Sequence, residues 1–131
     1  MPSRRSAPVR SLTDELRSRP DEALAALLRE RPDLAVPLPP DLSALGVRAA
    51  GRLSVQRALD ALDAPALQVA EVLAVLPEPA APTQVSRAWG AQAGPVLERL
   101  RALGLVWGPP RALRLVRAAR DVLGPWPAGL G

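Results

Sequence analysis

The sequence predicts a mainly helical fold: a winged helix-turn-helix with a short β-hairpin wing, preceded by a small helical subdomain. Apolar residues recur at helical spacing through most of the chain, and its 16 prolines and 9 glycines divide it into short segments. Between residues 83 and 116 a short helix, a Gly/Ala turn, a longer helix and two strand-like runs follow one another. Because such units bind their partners through the second helix and the hairpin, the sequence predicts binding rather than catalysis.

The first part of the chain is basic and then helical. Residues 1–10 contain prolines and arginines, and we predict a disordered basic arm there. Ser11 begins a first short helix, and Ser18 is placed to cap a second, which has a proline in its first turn and ends at or is offset by Pro32. The sequence therefore predicts an N-terminal helical subdomain over 11–36.

A proline-rich connector follows over 37–40. Each proline lacks a backbone donor and forces the residue before it into an extended conformation, so this segment is stiff and cannot be helical. Beyond it, Asp41, Ser54 and Asp63 are predicted to cap three further helices, and the winged-helix unit begins at Asp41 or Asp63. The remaining predicted divisions are a helical and winged-helix domain over 41–124 and a tail or linker over 125–131.

Both helices of the helix-turn-helix have terminal signals. Thr83 is the predicted N-cap of the first helix, and Gly90 ends it. Pro95 lies in the first turn of the second helix, and Gly104 lies where a left-handed residue ends a helix. Two short apolar runs around a Gly-Pro-Pro-Arg turn then predict a hairpin, and a last short helix ends at Gly124.

The composition excludes most catalytic chemistry. The chain contains no His, Cys, Lys or Tyr, so it lacks the usual general bases, thiol nucleophiles, Schiff-base amines and soft metal ligands, and it lacks the lysine of a Walker A motif. The carboxylate pairs Asp60 with Asp63 and Asp14 with Glu15 are explained by helix caps and first-turn positions, and a hard metal ion needs more oxygen ligands. We therefore expect no enzyme activity, no metal and no cofactor.

The charge distribution indicates where a polyanion could bind. The net charge is +4, but residues 83–131 contain seven arginines and two acidic residues, whereas residues 21–82 contain five arginines and nine acidic residues. The planar guanidinium group suits phosphate, so an arginine-rich face fits nucleic acid. Ordinary solvated surface charge is the alternative.

The predicted DNA-binding positions lie on the helix-turn-helix, the hairpin and the residues after it. Base readout uses the N-terminal residues of the second helix, and only Gln92 can make a bidentate base contact there. We therefore expect duplex DNA as the partner, bound mostly through its phosphates and with low sequence specificity. The predicted contact residues are Arg87, Gln92, Arg99, Arg101, Arg111, Arg114 and Arg117.

The alternative is a winged-helix module for protein-protein interaction or scaffolding, without nucleic-acid binding, because the fold alone does not determine its partner. A phosphate-binding module predicts that Arg99, Arg101, Arg111 and Arg114 share one positive face. A docking module predicts an exposed apolar patch, with the arginines dispersed or held in ion pairs.

The sequence also favours a cytoplasmic protein with no membrane partner. The most apolar stretch, residues 64–76, is too short to span a bilayer and contains Gln68 and Glu71. The paired arginines near the N-terminus are not followed by the apolar region of a signal peptide. The absence of cysteine is compatible with the cytosol.

Most of the chain resembles the N-terminal region of actinobacterial helicase-associated proteins that have an XPB-type helicase C-terminal domain. The similar stretches are SLTDELRSRPDEALAALLRERPDL, PPDLSALGVRAAGRLSVQRALDALDAPALQVAEVLAVLPEP, LERLRALGLVWG and ALRLVRAARDVLGPWPAGLG, which together extend over 11–131. The composition, rich in Ala, Arg, Pro, Leu and Val, is typical of GC-rich coding and agrees with such a source. The resemblance implies an accessory, DNA-related part of a larger protein, whose remainder would be a partner. It implies no ATP hydrolysis here, because a motor site needs lysine.

Overall fold

The computed structural model describes residues 10–124. Within this range the chain is mainly helical, with one two-stranded antiparallel sheet, as the sequence predicts. The predicted basic arm, apart from Arg10, and the predicted tail lie outside the described residues. The helices are α1 (Leu12–Ser18), α2 (Asp21–Glu30), a 3-10 helix (Pro32–Ala35), α3 (Leu42–Ala49), α4 (Arg52–Asp60), α5 (Ala64–Val75), α6 (Pro82–Trp89), α7 (Ala93–Ala102) and α8 (Arg117–Leu123), and the strands are β1 (Val106–Trp107) and β2 (Arg114–Leu115).

The predicted helix start at Ser11 and the predicted caps Asp41 and Asp63 are confirmed. The side-chain oxygens of Ser11, Asp41 and Asp63 each accept a hydrogen bond from the backbone N–H three residues further on, at 3.2, 2.8 and 3.0 Å respectively. Each bond satisfies one of the four N–H groups that a helix start leaves without an intrahelical partner. These local signals therefore place the starts of α1, α3 and α5.

The other three predicted caps are wrong. Ser18 is the last residue of α1, and its hydroxyl donates back to the carbonyl of Glu15 at 2.7 Å. Ser54 lies in the first turn of α4, where its hydroxyl takes part in a buried hydrogen-bond network instead. Thr83 lies inside α6, whose start is marked by a hydrogen bond from the N–H of Ala81 to the side-chain oxygen of Gln84 at 2.7 Å. Ser18 and Ser54 therefore fail as caps because their hydroxyls have other hydrogen-bond partners, and Thr83 fails because α6 begins before it.

The core is built from leucine, valine and alanine. Buried residues from Leu12 in α1 to Ala119 in α8 form one continuous hydrophobic cluster, so the helices on the two sides of the connector pack into the same core. Helix α1 packs on α3, α7 packs on α5 and α6, and α8 packs on α4 and α5. The small side chains let these helices approach closely.

The predicted hairpin after Gly104 is present, with strands of two residues each. Val106 pairs with Leu115 and Trp107 with Arg114. Ala80, in the segment between α5 and α6, exchanges two backbone hydrogen bonds of 2.8 Å with Leu113 and so joins this segment to the hairpin. This bridge therefore joins the hairpin to the segment that connects α5 with α6.

We expect Gly46→Ala to lower the free energy of unfolding by about 1–3 kcal/mol, the usual cost of overpacking. Gly46 is buried in α3 where α1 crosses it, and an added methyl group would lie 2.8 Å from Cβ and 3.1 Å from Cα of Thr13. Urea unfolding would measure the change. Gly94→Ala is the matched control, since the added methyl group at this exposed position in α7 meets no atom within 4 Å and should leave stability unchanged or slightly raised. Equal effects of the two substitutions would contradict the close packing of α1 on α3.

Candidate functional site

The seven residues predicted to contact DNA are distributed over five consecutive parts of the chain. They lie on α6, at and within α7, in the hairpin turn, on β2 and at the start of α8. The structure divides them into residues that are held by carboxylates and residues that are exposed. In the order of the sequence they are Arg87, Gln92, Arg99, Arg101, Arg111, Arg114 and Arg117.

Arg101 is held by Glu15, a residue of α1. The Glu15 carboxylate accepts hydrogen bonds from Arg101 at 2.8 Å, from Arg19 at 3.0 Å and from the backbone N–H of Gly108 at 2.8 Å. Only 9% of the Glu15 side chain is exposed. Since Gly108 begins the hairpin turn, this carboxylate lies between the C-terminal half of α7 and the hairpin, and it pairs with the guanidinium that was predicted to face a phosphate.

Helix α2 and the end of α1 lie beside the same half of α7. Arg99 forms an ion pair of 3.7 Å with Glu30 of α2, in which both side chains remain about half exposed. Arg19 donates to the carbonyls of Arg101 and Ala102 at 2.5 and 3.4 Å, and so satisfies two of the carbonyl groups at the C-terminal end of α7. The end of α1 and helix α2 therefore contact the C-terminal half of α7, where Glu98, Arg99 and Ala102 remain exposed.

Arg114 is also paired with a carboxylate. Its guanidinium lies 3.6 Å from the carboxylate of Glu78 and 5.9 Å from the centre of the Trp107 ring, a cation–π geometry. Glu78 in addition accepts from Arg120 at 3.0 Å and from the N–H of Leu115 at 3.0 Å. Its carboxylate thus links the segment after α5 to both β2 and α8.

The other four predicted residues are available to a partner. Arg87, Gln92, Arg111 and Arg117 are exposed, and none of their side chains forms an ion pair or hydrogen bond within residues 10–124. Gln92 precedes α7 without capping it. The structure therefore leaves the start of α7, the hairpin turn and the start of α8 open, whereas Arg99, Arg101 and Arg114 are paired with carboxylates.

Arg31 is the polar residue that sequence reasoning missed. It is only 2% exposed, and its guanidinium donates to the carbonyls of Leu103 and Ala49 at 2.9 and 2.8 Å and to the Ser54 hydroxyl at 2.8 Å. Ser54 in turn donates to Asp33 at 2.5 Å. Burial lowers the pKa of Arg31 to about 10, so the group stays charged at neutral pH. Nothing in the local sequence around Arg31 predicts this position.

A second missed feature is an open groove of about 420 Å³ between the 3-10 helix and the start of α4, which we call the Val36–Leu53 groove. Val36 and Leu53 line it, and they are 78% and 81% exposed. The sequence contains a signal that these two side chains are exposed, because Leu53 falls outside the apolar face of α4 and Val36 adjoins the proline connector. The groove is lined by Asp33, Val36, Arg48, Gly51, Leu53, Ser54 and Arg57.

Metal-binding clusters and membrane-spanning helices are both absent from the described residues. Residues 10–124 contain no cluster of three or more His, Cys, Asp or Glu that could hold a metal ion, and none of their helices is long and apolar enough to cross a membrane. Comparison of the chain with protein-family models, with curated protein sequences and with solved structures finds no match. The inference of function therefore depends on the geometry of the residues themselves.

Proposed function

We propose that the protein is a non-catalytic interaction module in which a winged helix, built from α5, α6, α7 and the hairpin, is a scaffold for docking another protein. The order of these elements supports the winged helix. Helix α5 leads to Ala80, which bridges to Leu113, and α6, α7, β1 and β2 follow. This order is the one expected of a helix-turn-helix with a wing, and the segment between α5 and α6 is bridged to the hairpin.

The observation that favours protein docking over DNA binding is the position of Glu15. In a DNA-binding helix-turn-helix the second helix enters the major groove. Here the carboxylate of Glu15 joins that helix to the hairpin through Arg101 and Gly108, and Glu30 lies beside Arg99. A duplex on this side would meet acidic side chains and would have to displace α1 and α2, which are packed into the common core.

The exposed aliphatic side chains support the same function. Large exposed apolar residues grouped on one part of a surface are typical of sites that bind another protein. Four of the five large apolar side chains that the described residues expose lie between the end of the 3-10 helix and the start of α4; these are Val36, Leu38, Val47 and Leu53. The partner is therefore expected to bind this part of the chain.

Duplex DNA binding with low sequence specificity is the second candidate. Arg87, Arg111 and Arg117 are exposed cations without a carboxylate partner among the described residues, and Gln92 is open at the start of α7. These residues could contact phosphates while Arg99 and Arg101 keep their ion pairs. The resemblance to helicase-associated proteins agrees with this candidate. If the resemblance holds, the remainder of such a larger protein would be a partner for a docking module as well as for a DNA-binding one.

Duplex binding by the full chain separates the two candidates. A fluorescein-labelled duplex is titrated at two salt concentrations, and fluorescence anisotropy is measured. For a docking module we expect affinity weaker than the non-specific range of about 10⁻⁴ to 10⁻⁶ M at physiological salt. A Kd within that range that rises steeply with salt and is lost in the variant Arg87→Glu/Arg111→Glu/Arg117→Glu would overturn the docking proposal in favour of DNA. Arg29→Glu, at an exposed position of α2, is the matched control.

A further inference from the structure

We infer that the Val36–Leu53 groove binds an acidic, aliphatic segment of a partner protein. This inference rests on the proposed docking function and specifies the surface and the chemistry of the partner. The groove lies between the 3-10 helix and the first turn of α4, on elements separate from α7 and the hairpin. A partner bound here would leave the ion pairs of Glu15 and Glu30 in place.

The apolar part of the groove explains the need for aliphatic side chains in the partner. Val36 and Leu53 expose 78% and 81% of their surface on opposite walls, so each has most of its apolar area left to bury. Leu38 of the connector and Val47 of α3 are both 74% exposed as well, although neither lines the groove. The partner segment therefore needs at least one aliphatic residue that contacts both walls.

The walls are held in position before a partner binds. Arg48 of α3 donates to the carbonyl of Leu34 at 3.0 Å and to the carbonyl of Pro37, which fixes the connector against α3. On the other wall, the Ser54 hydroxyl joins Arg31 to Asp33. A groove with ordered walls loses little conformational entropy when a ligand binds, and this favours affinity.

The charges around the groove favour carboxylates in the partner. Arg57 lines the groove and Arg52 directly precedes Leu53; both are exposed and form no ion pair or hydrogen bond within the described residues. Asp33 is the one carboxylate in the lining, and it already accepts a hydrogen bond from Ser54. The exposed rim is therefore cationic. Two guanidinium groups beside aliphatic walls, with no aromatic side chain for base stacking in the lining, fit a polypeptide better than a nucleic acid.

A displayed library of random peptides, selected on the full chain, tests this assignment. Peptides enriched on the wild type are synthesised, and their affinities for the wild type and for each variant are measured by fluorescence anisotropy. We expect them to combine aliphatic and acidic residues, and we expect Leu53→Ser and Arg52→Glu/Arg57→Glu each to weaken their binding at least tenfold. Val75→Ser and Arg29→Glu are the matched controls, because Val75 is 58% exposed on α5 and Arg29 is exposed on α2, both outside the groove lining.

Each outcome decides the assignment. Enriched peptides that are basic, or an affinity that the groove variants leave unchanged, would overturn the groove while leaving the docking function in place. If no peptide is enriched, the groove assignment fails, and if the duplex titration also shows salt-dependent binding, the docking function fails with it. Because all substituted side chains are exposed, unchanged circular dichroism and unchanged urea midpoints should confirm that the variants are folded.

Discussion

Arg31→Met is expected to lower the free energy of unfolding by about 3 kcal/mol, with removal of the guanidinium desolvation penalty offsetting part of the loss. The substitution keeps an apolar side chain of similar length but leaves the carbonyls of Leu103 and Ala49 without their donor, and Ser54 loses one partner. These acceptors belong to α7, α3 and α4, which surround the end of α2. Arg31 therefore joins the helices before the connector to those after it.

Urea unfolding at neutral pH measures this effect. Arg29→Met is the control, since Arg29 is exposed near the end of the same helix and should change stability by less than about 0.5 kcal/mol. Arg31→Lys should fall between the two, because it keeps the charge but has a single nitrogen in place of the two that now donate. A stability for Arg31→Met within about 0.5 kcal/mol of the wild type would show that the buried contacts of Arg31 contribute little.

The second large effect is expected at Glu15, where alanine should lower the free energy of unfolding by about 2–4 kcal/mol. The substitution removes the acceptor of Arg19, Arg101 and the N–H of Gly108 together. Arg101 has 22% of its side chain exposed, so it would keep a largely desolvated charge without its partner. Glu15→Gln should cost less, because the amide oxygen can still accept from Gly108.

A double-mutant cycle separates the ion pair from the rest of this effect. Glu15→Ala and Arg101→Ala, alone and combined, should show a coupling energy of at least about 1 kcal/mol in urea unfolding. Glu22→Ala, at an exposed position of α2, is the control and should be nearly neutral. Additive effects of the two substitutions would mean that Glu15 does not stabilise the contact of α1 with α7, and the main support for the docking function would be lost.

Several elements were predictable because their signals are local. The capping oxygens of Ser11, Asp41 and Asp63 bond to the backbone N–H three residues away, and Gly90 and Gly104 adopt the positive φ angles of 147° and 72° after their helices. Ser54 had the same sequence signal but a different role, because Arg31 reaches it from 23 positions away. A cap prediction fails where a distant group competes for the same hydroxyl.

The ion pairs of the candidate site were harder to predict than the helix caps, because their partners are more distant in the sequence. The last third of the chain does contain an excess of arginine. In the folded chain, however, Arg99, Arg101 and Arg114 each lie beside a carboxylate from an earlier segment. Glu15 and Arg101 are separated by 86 positions. A count of charges by segment contains no information on such pairs, so it indicated a cationic face where the folded chain is partly neutralised.

The amino-acid sequence alone determined that this protein is mainly helical, where several of its helices begin or end, that a hairpin follows Gly104, and which catalytic side chains are missing. Those properties depend on residue identity and on contacts within a few positions, which a linear pattern records. Only the tertiary structure decided which arginines are neutralised, that Arg31 is buried, and that Val36 and Leu53 line one groove. These depend on helix packing, which brings distant residues together, and the same residue types would have had other partners in another arrangement of the helices.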